Sequence, residues 1–172
     1  MSTKLWGGRF DMPTNKLVES YNATIMLEQR LCSFDIQGSI AHATMLGRQG
    51  IITQDEANAI IGGLRQVNKE IEDGQFVFDT VDEDIHMAIE RRMTEIIGPV
   101  GGKLHTGRSR NDQTTVDSKM HMRSTIREIQ QDIVHLQKVI ISKAENNINA
   151  IMPGYTHLQT GQPILLSHWI MA

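Results

Sequence analysis

Apolar residues recur at steps of three and four along most of the chain, which is the spacing of amphipathic helices. The clearest case follows Thr53-Gln-Asp-Glu56, a capping box in which Thr and Glu satisfy each other's backbone N–H groups at a helix start. Gly74 is predicted to stop this helix. Its apolar positions are Ala57, Ile60, Ile61, Leu64, Val67 and Ile71.

Helical spacing also precedes and follows this segment. A helix is predicted from about Glu28 until Gly50, with Leu31, Phe34, Ile40 and Ala43 on one broad face. Asp82 is expected to cap a third helix that ends at Gly98-Pro99. Its apolar side is predicted to hold Ile85, Ile89, Met93 and Ile96. Residues 1–20 show little periodicity and predict an extended arm.

A long helix is predicted from Asn111 to about Asn146. Its apolar residues form a heptad-like seam typical of helix bundles: Met122, Ile126, Ile129, Ile133, Leu136 and Ile140. After a break at Met152-Pro-Gly154, Gln162-Pro163 predicts the start of another helix, with Pro163 near its first turn. That helix is apolar on all sides, as in the interior of a large assembly. We therefore expect the sequence to stop in mid-helix, as a piece of a longer chain.

Composition narrows the possible functions. The 17 basic and 20 acidic residues give a formal charge of −3, which predicts no general attraction to nucleic acid or to an anionic membrane. Cys32 is the one cysteine, so no internal disulfide is possible. With no recognisable secretion signal, this indicates the cytoplasm. No segment is long enough to span a bilayer.

The segment from Gly101 to Gln113 combines glycines with Lys103, Arg108 and Arg110. It leads into the start of the long helix, where free N–H groups and the helix dipole favour anions. Arginine also matches a carboxylate with two hydrogen bonds. The segment predicts a carboxylate or phosphate site, although a solvated basic loop fits the same composition. It lacks the Walker A pattern because Leu104 follows Lys103.

Two histidines stand in segments that could carry acid–base chemistry. His86 follows Asp82-Glu-Asp84, and a structural histidine at the edge of the core is the simpler interpretation. His157 lies in Gly154-Tyr-Thr-His-Leu-Gln159, a polar loop between helices that could present an acid or base. From spacing alone both stay ambiguous. The histidines show no metal-ligand spacing, which makes a metal the less favoured interpretation, and no motif supports nucleophilic catalysis.

Four motifs together resemble the argininosuccinate lyases, a branch of the fumarase/aspartase superfamily. They are Lys4-Leu-Trp-Gly-Gly-Arg-Phe10, Glu83-Asp-Ile-His86 with Glu90-Arg-Arg92, Gly107-Arg-Ser-Arg-Asn-Asp-Gln113, and Met152-Pro-Gly-Tyr-Thr-His-Leu-Gln159. They occur in the family's order and cover nearly the whole chain. The resemblance implies an all-α fold, with a helical N-terminal domain at 1–111 and the beginning of a central long-helix bundle at 112–172. It also implies a homotetramer built through that bundle.

The resemblance further implies reversible cleavage of argininosuccinate into arginine and fumarate, without cofactor or metal. His157 matches the family's acid–base histidine. The substrate-binding positions match Thr24, His86, Ser109, Arg110, Asn111 and Thr156. Thr24 stands where serine is common and keeps the hydroxyl, whereas Glu28 stands where aspartate is usual.

The family's catalytic serine belongs to a downstream loop that this sequence does not contain, so we expect the chain to be inactive alone. Two alternatives stay open. One is another lyase of the superfamily, of the adenylosuccinate lyase or fumarase type. The other is a non-catalytic, crystallin-like structural protein.

Overall fold

A computed structural model of the chain describes residues 15–79 and 82–172. Apart from one hairpin, the elements in these ranges are helices, which confirms the all-α prediction. They are α1 (Lys16–Asn22), α2 (Ile25–Glu28), α3 (Cys32–Arg48), α4 (Gln54–Glu72), α5 (Ile85–Ile97), α6 (Arg110–Glu145), β1 (Ile151–Thr156), β2 (Gln159–Leu165) and α7 (Leu166–Met171). Short 3₁₀ helices occupy Gln29–Leu31 and Pro99–His105.

Contacts divide the chain into two units, one ending at His121 and the other running from Met122 to Ala172. The predicted domains 1–111 and 112–172 stay a prediction about how the chain is built. None of the described helices has the length and apolar character needed to cross a bilayer.

The hydrophobic core of the first unit lies among α3, α4 and α5. Its buried apolar side chains are Ile25, Cys32, Ile36, Ala43, Leu46, Ile52, Ala57, Ile60, Leu64, Val67, Ile85, Ala88, Ile89, Met93 and Leu104. The predicted face of α4 is confirmed, with Ile61 and Ile71 at its partly buried edge. In α3 the buried face is centred on Ile36 and Leu46, whereas Ile40 is only partly buried. Leu31, in the preceding 3₁₀ helix, is also only partly buried.

The start of α4 is the predicted capping box. The Thr53 hydroxyl accepts a hydrogen bond from the backbone N–H of Glu56, and the Glu56 carboxylate accepts one from the N–H of Thr53. Gly74 follows the helix with a φ of 67°, a left-handed conformation that glycine adopts without strain. Both helix ends therefore lie where the sequence predicts them.

The predictions for the first 20 residues and for the start of α5 need correction. Of the predicted arm at 1–20, residues 1–14 lie outside the described residues, but α1 is helical because the Asn15 side chain accepts from the N–H of Leu17. The cap of α5 is Asp84, whose carboxylate accepts from the N–H of Met87. Asp82 instead binds Arg91 through two 2.7 Å hydrogen bonds.

The glycine-rich segment after α5, predicted as a loop, contains the 3₁₀ helix Pro99–His105. Gly98 ends α5 with a φ of 77°, and Pro99 then supplies the fixed φ that suits a first helical position.

The helix predicted to open at Gln162-Pro163 is wrong, because these residues lie in strand β2. Pro153 faces Pro163 across the antiparallel hairpin. Two prolines can oppose each other only at a position without ladder hydrogen bonds, since neither has an N–H to donate. A proline that suits a first helical turn also suits such a strand, and α7 begins three residues later at Leu166.

The residues of the predicted seam lie on the single helix α6 and form a largely exposed apolar stripe. Met122, Ile126, Ile129, Ile133 and Leu136 are each between 49% and 62% exposed. In the described chain this stripe has the size and spacing of a surface that other helices cover.

Adjacent glycines in α4 provide a test of the α4–α5 packing. A Cβ on Gly63 would lie 2.9 Å from both Ile97 Cγ2 and Met93 Cγ, whereas a Cβ on Gly62 would meet nothing within 4 Å. Gly62→Ala should therefore stabilise the chain by up to about 1 kcal/mol through helix propensity. Gly63→Ala should destabilise it by about 1–3 kcal/mol through overpacking. Urea unfolding followed by circular dichroism measures both, and an equal gain for the two variants would contradict this packing.

Candidate active site

Basic side chains of the segment between α5 and α6 bind residues of α3 and α4. Lys103 forms an ion pair with Glu56, and Arg108 Nη1 donates to Ser39 Oγ over 2.9 Å. His42 Nε2 lies 3.0 Å from the carbonyl oxygen of Thr106 and donates to it. Lys103 and Arg108, two of the cations that predict an anion site, thus bind other side chains of the first unit.

The first turn of α6 presents the remaining candidates. Ser109 Oγ accepts from the backbone N–H of Asn111 over 3.2 Å, and both side chains are exposed. Arg110 is half-buried, with Nη1 2.6 Å from Gln113 Oε1 and Nη2 3.4 Å from Glu90 Oε2. The surface here offers a hydroxyl, an amide and the N-terminus of a 36-residue helix, which together favour an anion.

His86 lies behind this turn, buried to 2% exposure. Its Nδ1 is 3.0 Å from Asp35 Oδ1, the same oxygen that accepts from Gln113 Nε2. Its Nε2 is 3.4 Å from Thr114 Oγ1. Asp117 Oδ2 lies 3.7 Å from Nδ1 of the same ring, and neither oxygen of Asp117 has a hydrogen-bond partner among the described residues. We call Asp35, His86, Gln113 and Asp117 the charge cluster.

The ionisable members of the charge cluster shift one another's pKa values. Burial lowers the pKa of His86, but the hydrogen bond and charge of Asp35 outweigh it and raise that pKa above the ordinary value. Burial also acts to raise the pKa of Asp35, which His86 and Gln113 nevertheless hold below its usual range. Burial, followed by the charge of Asp35, raises the pKa of Asp117 to about 7.

Among residues 15–79 and 82–172, one group of side chains is close enough to share a metal ion. It consists of Asp35, His86 and Asp117, with one potential ligand atom from each within 4.8 Å of the others. The geometry favours hydrogen bonding instead, because Asp35 Oδ1 already accepts from two N–H donors. We therefore interpret these three side chains as buried ionisable groups that influence one another's protonation.

Thr24 is exposed and precedes α2. Its backbone N–H and that of Ile25 donate to the carbonyl of Glu83 over 2.9 and 3.2 Å. Glu83 has a φ of 65°, which turns its carbonyl toward this helix start. The first unit thus connects Thr24 directly to the segment that carries His86. Glu28 Oε2, at the position where aspartate was expected, is buried without a hydrogen-bond partner among the described residues.

His157 and Thr156 belong to the second unit, at the tip of the β1–β2 hairpin. Thr156 pairs with Gln159, so His157 and Leu158 form a two-residue turn with φ values of 52° and 62°. Two left-handed residues are typical of a type I′ turn, which glycine and asparagine usually occupy. Non-glycine residues held in this conformation often mark functional positions. The predicted polar loop is therefore a tight, exposed hairpin turn.

Sequence reasoning missed Asp35 and Asp117, and it included Gln113 in a motif without giving this residue a role. Asp35 and Ser39 lie one turn apart on the buried face of α3, between the apolar residues Cys32 and Ala43. Gln113 and Asp117 are likewise one turn apart on α6. Polar side chains inside an apolar stripe are buried and require partners, which is a signal that a search for apolar periodicity overlooks.

The chain is similar to known lyases over nearly its whole length. A family model described as Lyase matches residues 8–172. Two curated proteins named argininosuccinate lyase, from Syntrophotalea carbinolica and Syntrophobacter fumaroxidans, are 54% and 51% identical over all 172 residues. The chain spans only 37% of the length of each.

Solved structures show the same fold. An EDDS lyase variant with bound fumarate has a TM-score of 0.70 at 30% identity, covering 89% of this chain and 29% of that one. A fumarate lyase:delta crystallin from Brucella melitensis has a TM-score of 0.71 at 17% identity, covering 90% of this chain and 41% of that one. The second likeness concerns the fold alone. Since the family model covers nearly every residue, the chain belongs to this lyase family.

Proposed function

We propose that a protein of the relatives' length carrying this chain cleaves argininosuccinate reversibly into arginine and fumarate. The observation that carries the proposal is the identity of more than half, over every residue, to proteins named argininosuccinate lyase. The adenylosuccinate lyase and fumarase alternatives have no comparable support. The fumarate named with the EDDS lyase variant is consistent with an elimination that releases this dicarboxylate.

The reaction needs a base that removes a proton from the carbon next to a carboxylate. The carbanion becomes an aci-carboxylate, whose extra negative charge requires several hydrogen-bond donors. An acid must then protonate the departing guanidinium nitrogen. All of these tasks fall to hydroxyl, amide, guanidinium and imidazole groups, and no cofactor or metal is needed.

We assign the carboxylate-binding role to the start of α6. Ser109 and Asn111 supply exposed polar groups, and Arg110 adds a guanidinium beside the helix N-terminus. Thr24 is the further candidate in the first unit, because its backbone is tied to Glu83 in the motif that leads to His86.

We assign acid–base chemistry to His157 and a substrate contact to its neighbour Thr156. An exposed imidazole at a constrained turn suits proton transfer, since a short turn fixes its direction without burying the ring. The resemblance places the carboxylate that polarises this histidine downstream of the four motifs.

We further propose that the protein is a cytoplasmic homotetramer that binds neither nucleic acid nor membrane. The exposed seam of α6 supports assembly through long helices, because an apolar stripe of this length is stabilised by burial against others. The single cysteine and modest negative charge are consistent with the location and the small-molecule substrates.

The assignment of substrate can be tested by absorbance at the wavelength of fumarate. The protein of full relative length should release fumarate from argininosuccinate and fail on adenylosuccinate, malate and aspartate. The 172-residue chain should show no turnover, because the resemblance places the catalytic serine downstream. Turnover of adenylosuccinate alone would overturn the proposal. Activity of the isolated 172-residue chain would show that catalysis does not require a downstream serine.

The role of His157 can be tested in the same full-length protein. His157→Asn should lower kcat by about 100- to 10,000-fold, the usual contribution of a positioned acid or base, with a smaller effect on KM. His135→Gln, an exposed histidine of α6, is the matched control and should keep kcat within about twofold. Equal losses in both variants would remove His157 from the chemistry.

A further inference from the structure

The contacts around His86 determine how many protons its ring carries. Nδ1 faces a carboxylate oxygen of Asp35 that also receives the Gln113 amide, so this oxygen is an acceptor and Nδ1 must donate. At the other nitrogen, Thr114 uses its hydroxyl hydrogen on the carbonyl of Arg110, 2.9 Å away. Its oxygen can then only accept, so Nε2 must donate as well. A ring with two N–H donors is an imidazolium cation.

The neighbouring carboxylates take opposite protonation states around this cation. Asp35 is ionised, because the imidazolium and the Gln113 amide both donate to one of its oxygens and hold its pKa below the usual range. Asp117 is fully buried and receives no N–H or O–H from the described residues. A second unpaired anion beside Asp35 would be costly, so Asp117 retains its proton below about pH 7.

Gln113 connects this charged pair to the surface. Its Nε2 donates to Asp35, which leaves Oε1 as the acceptor for Arg110 Nη1 at 2.6 Å. An anion on one side and a cation on the other select one orientation of the amide. The state of His86 thereby reaches Arg110 through two intervening side chains.

We propose that His86 is a positioning residue, a buried cation that acts with Asp35 and Gln113 to fix the orientation of Arg110. The resemblance places His86 at the substrate site, but its burial and its two engaged ring nitrogens favour an indirect role. The consequence for catalysis rests on the proposed function, in which Arg110 binds a substrate carboxylate. The protonation of the ring does not.

Asp117 provides a pH-dependent test of the cluster. Its pKa is about 7 when folded, against an ordinary 3.8, so the folded state holds the proton more tightly. This contribution to stability is present below about pH 4 and is lost as pH rises through 7. The groups that face Asp117 are Asp35 and Cys32 from α3, His86 from α5 and Arg108 from the preceding loop.

Asp117→Asn removes this titration while keeping the shape of the neutral acid. Its urea midpoint, relative to the unsubstituted chain, should rise between pH 5 and pH 8. Asp55→Asn on the exposed first turn of α4 is the control and should show no such rise. A difference between Asp117→Asn and the unsubstituted chain that is constant with pH would show that Asp117 is ionised throughout and would overturn this arrangement.

The charge of His86 can be read directly by ¹⁵N NMR of the 172-residue chain, with the signal identified by its loss in His86→Gln. At pH 7.5 both ring nitrogens should carry hydrogen, whereas a neutral tautomer would overturn the proposal. The two Arg110 Nη signals should be resolved in the unsubstituted chain and averaged in Gln113→Ala. Averaging in both would show that Gln113 does not orient Arg110. Neither measurement depends on the substrate.

Kinetics of the full-length protein test the consequence for binding. Gln113→Glu can still accept from Arg110, but at high pH it places an anion against Asp35. Its KM should rise on the order of tenfold at pH 8 and recover toward pH 6, as the new acid regains a hydrogen to donate. Gln113→Ala should keep a raised KM throughout, and the exposed control Gln66→Glu should change neither value.

A raised KM in Gln113→Glu without recovery at low pH would indicate general damage and would overturn the positioning role. If the unsubstituted protein does not cleave argininosuccinate, the proposed function fails. The NMR signals of His86 and Arg110 then still decide the inference by themselves.

Discussion

The buried ion pair between Asp35 and His86 is the interaction on which the rest of the first unit's functional surface depends. It joins the buried face of α3 to the buried face of α5. An unpaired charge at this depth would be strongly destabilising, and each partner here compensates the charge of the other. Because Gln113 and Thr114 bind the same pair, the start of α6 takes its position from it.

The helical part of the fold could be predicted well because its signals are local. The Thr53 and Glu56 side chains define one helix start by themselves, and the spacing from Ala57 to Val67 defines the buried face. Local signals failed where two local solutions exist. Pro163 suits a first helical turn and also an unbonded strand position, and only its partner Pro153 selects the second. Asp82 was predicted to cap α5, but it binds Arg91, and Asp84 caps the helix instead.

The candidate site likewise contains residues that local sequence motifs predict and residues that they do not. Motifs name Ser109, Arg110, Asn111 and His157 as candidates, because each belongs to a continuous stretch of sequence that resembles the family. Asp35 could not be found like this, since it is 51 residues from His86 and has no motif of its own. The sequence also predicted that the cations of the glycine-rich segment would bind an anion, but two of them bind other parts of the protein. Lys103 and Arg108 are used to hold the segment in place, which leaves exposed hydroxyl and amide groups at the surface.

The long helix α6 is unequally supported along its length. Its first turns are anchored by buried Gln113 and Asp117, and near its end Ala144 is buried within the second unit. Most of the side chains between them are exposed, so the middle of the helix is held chiefly by its own backbone hydrogen bonds. Such a segment opens before the anchored ends do, unless another surface covers it. If copies of the chain provide that surface, the stability of the middle of α6 becomes a function of protein concentration.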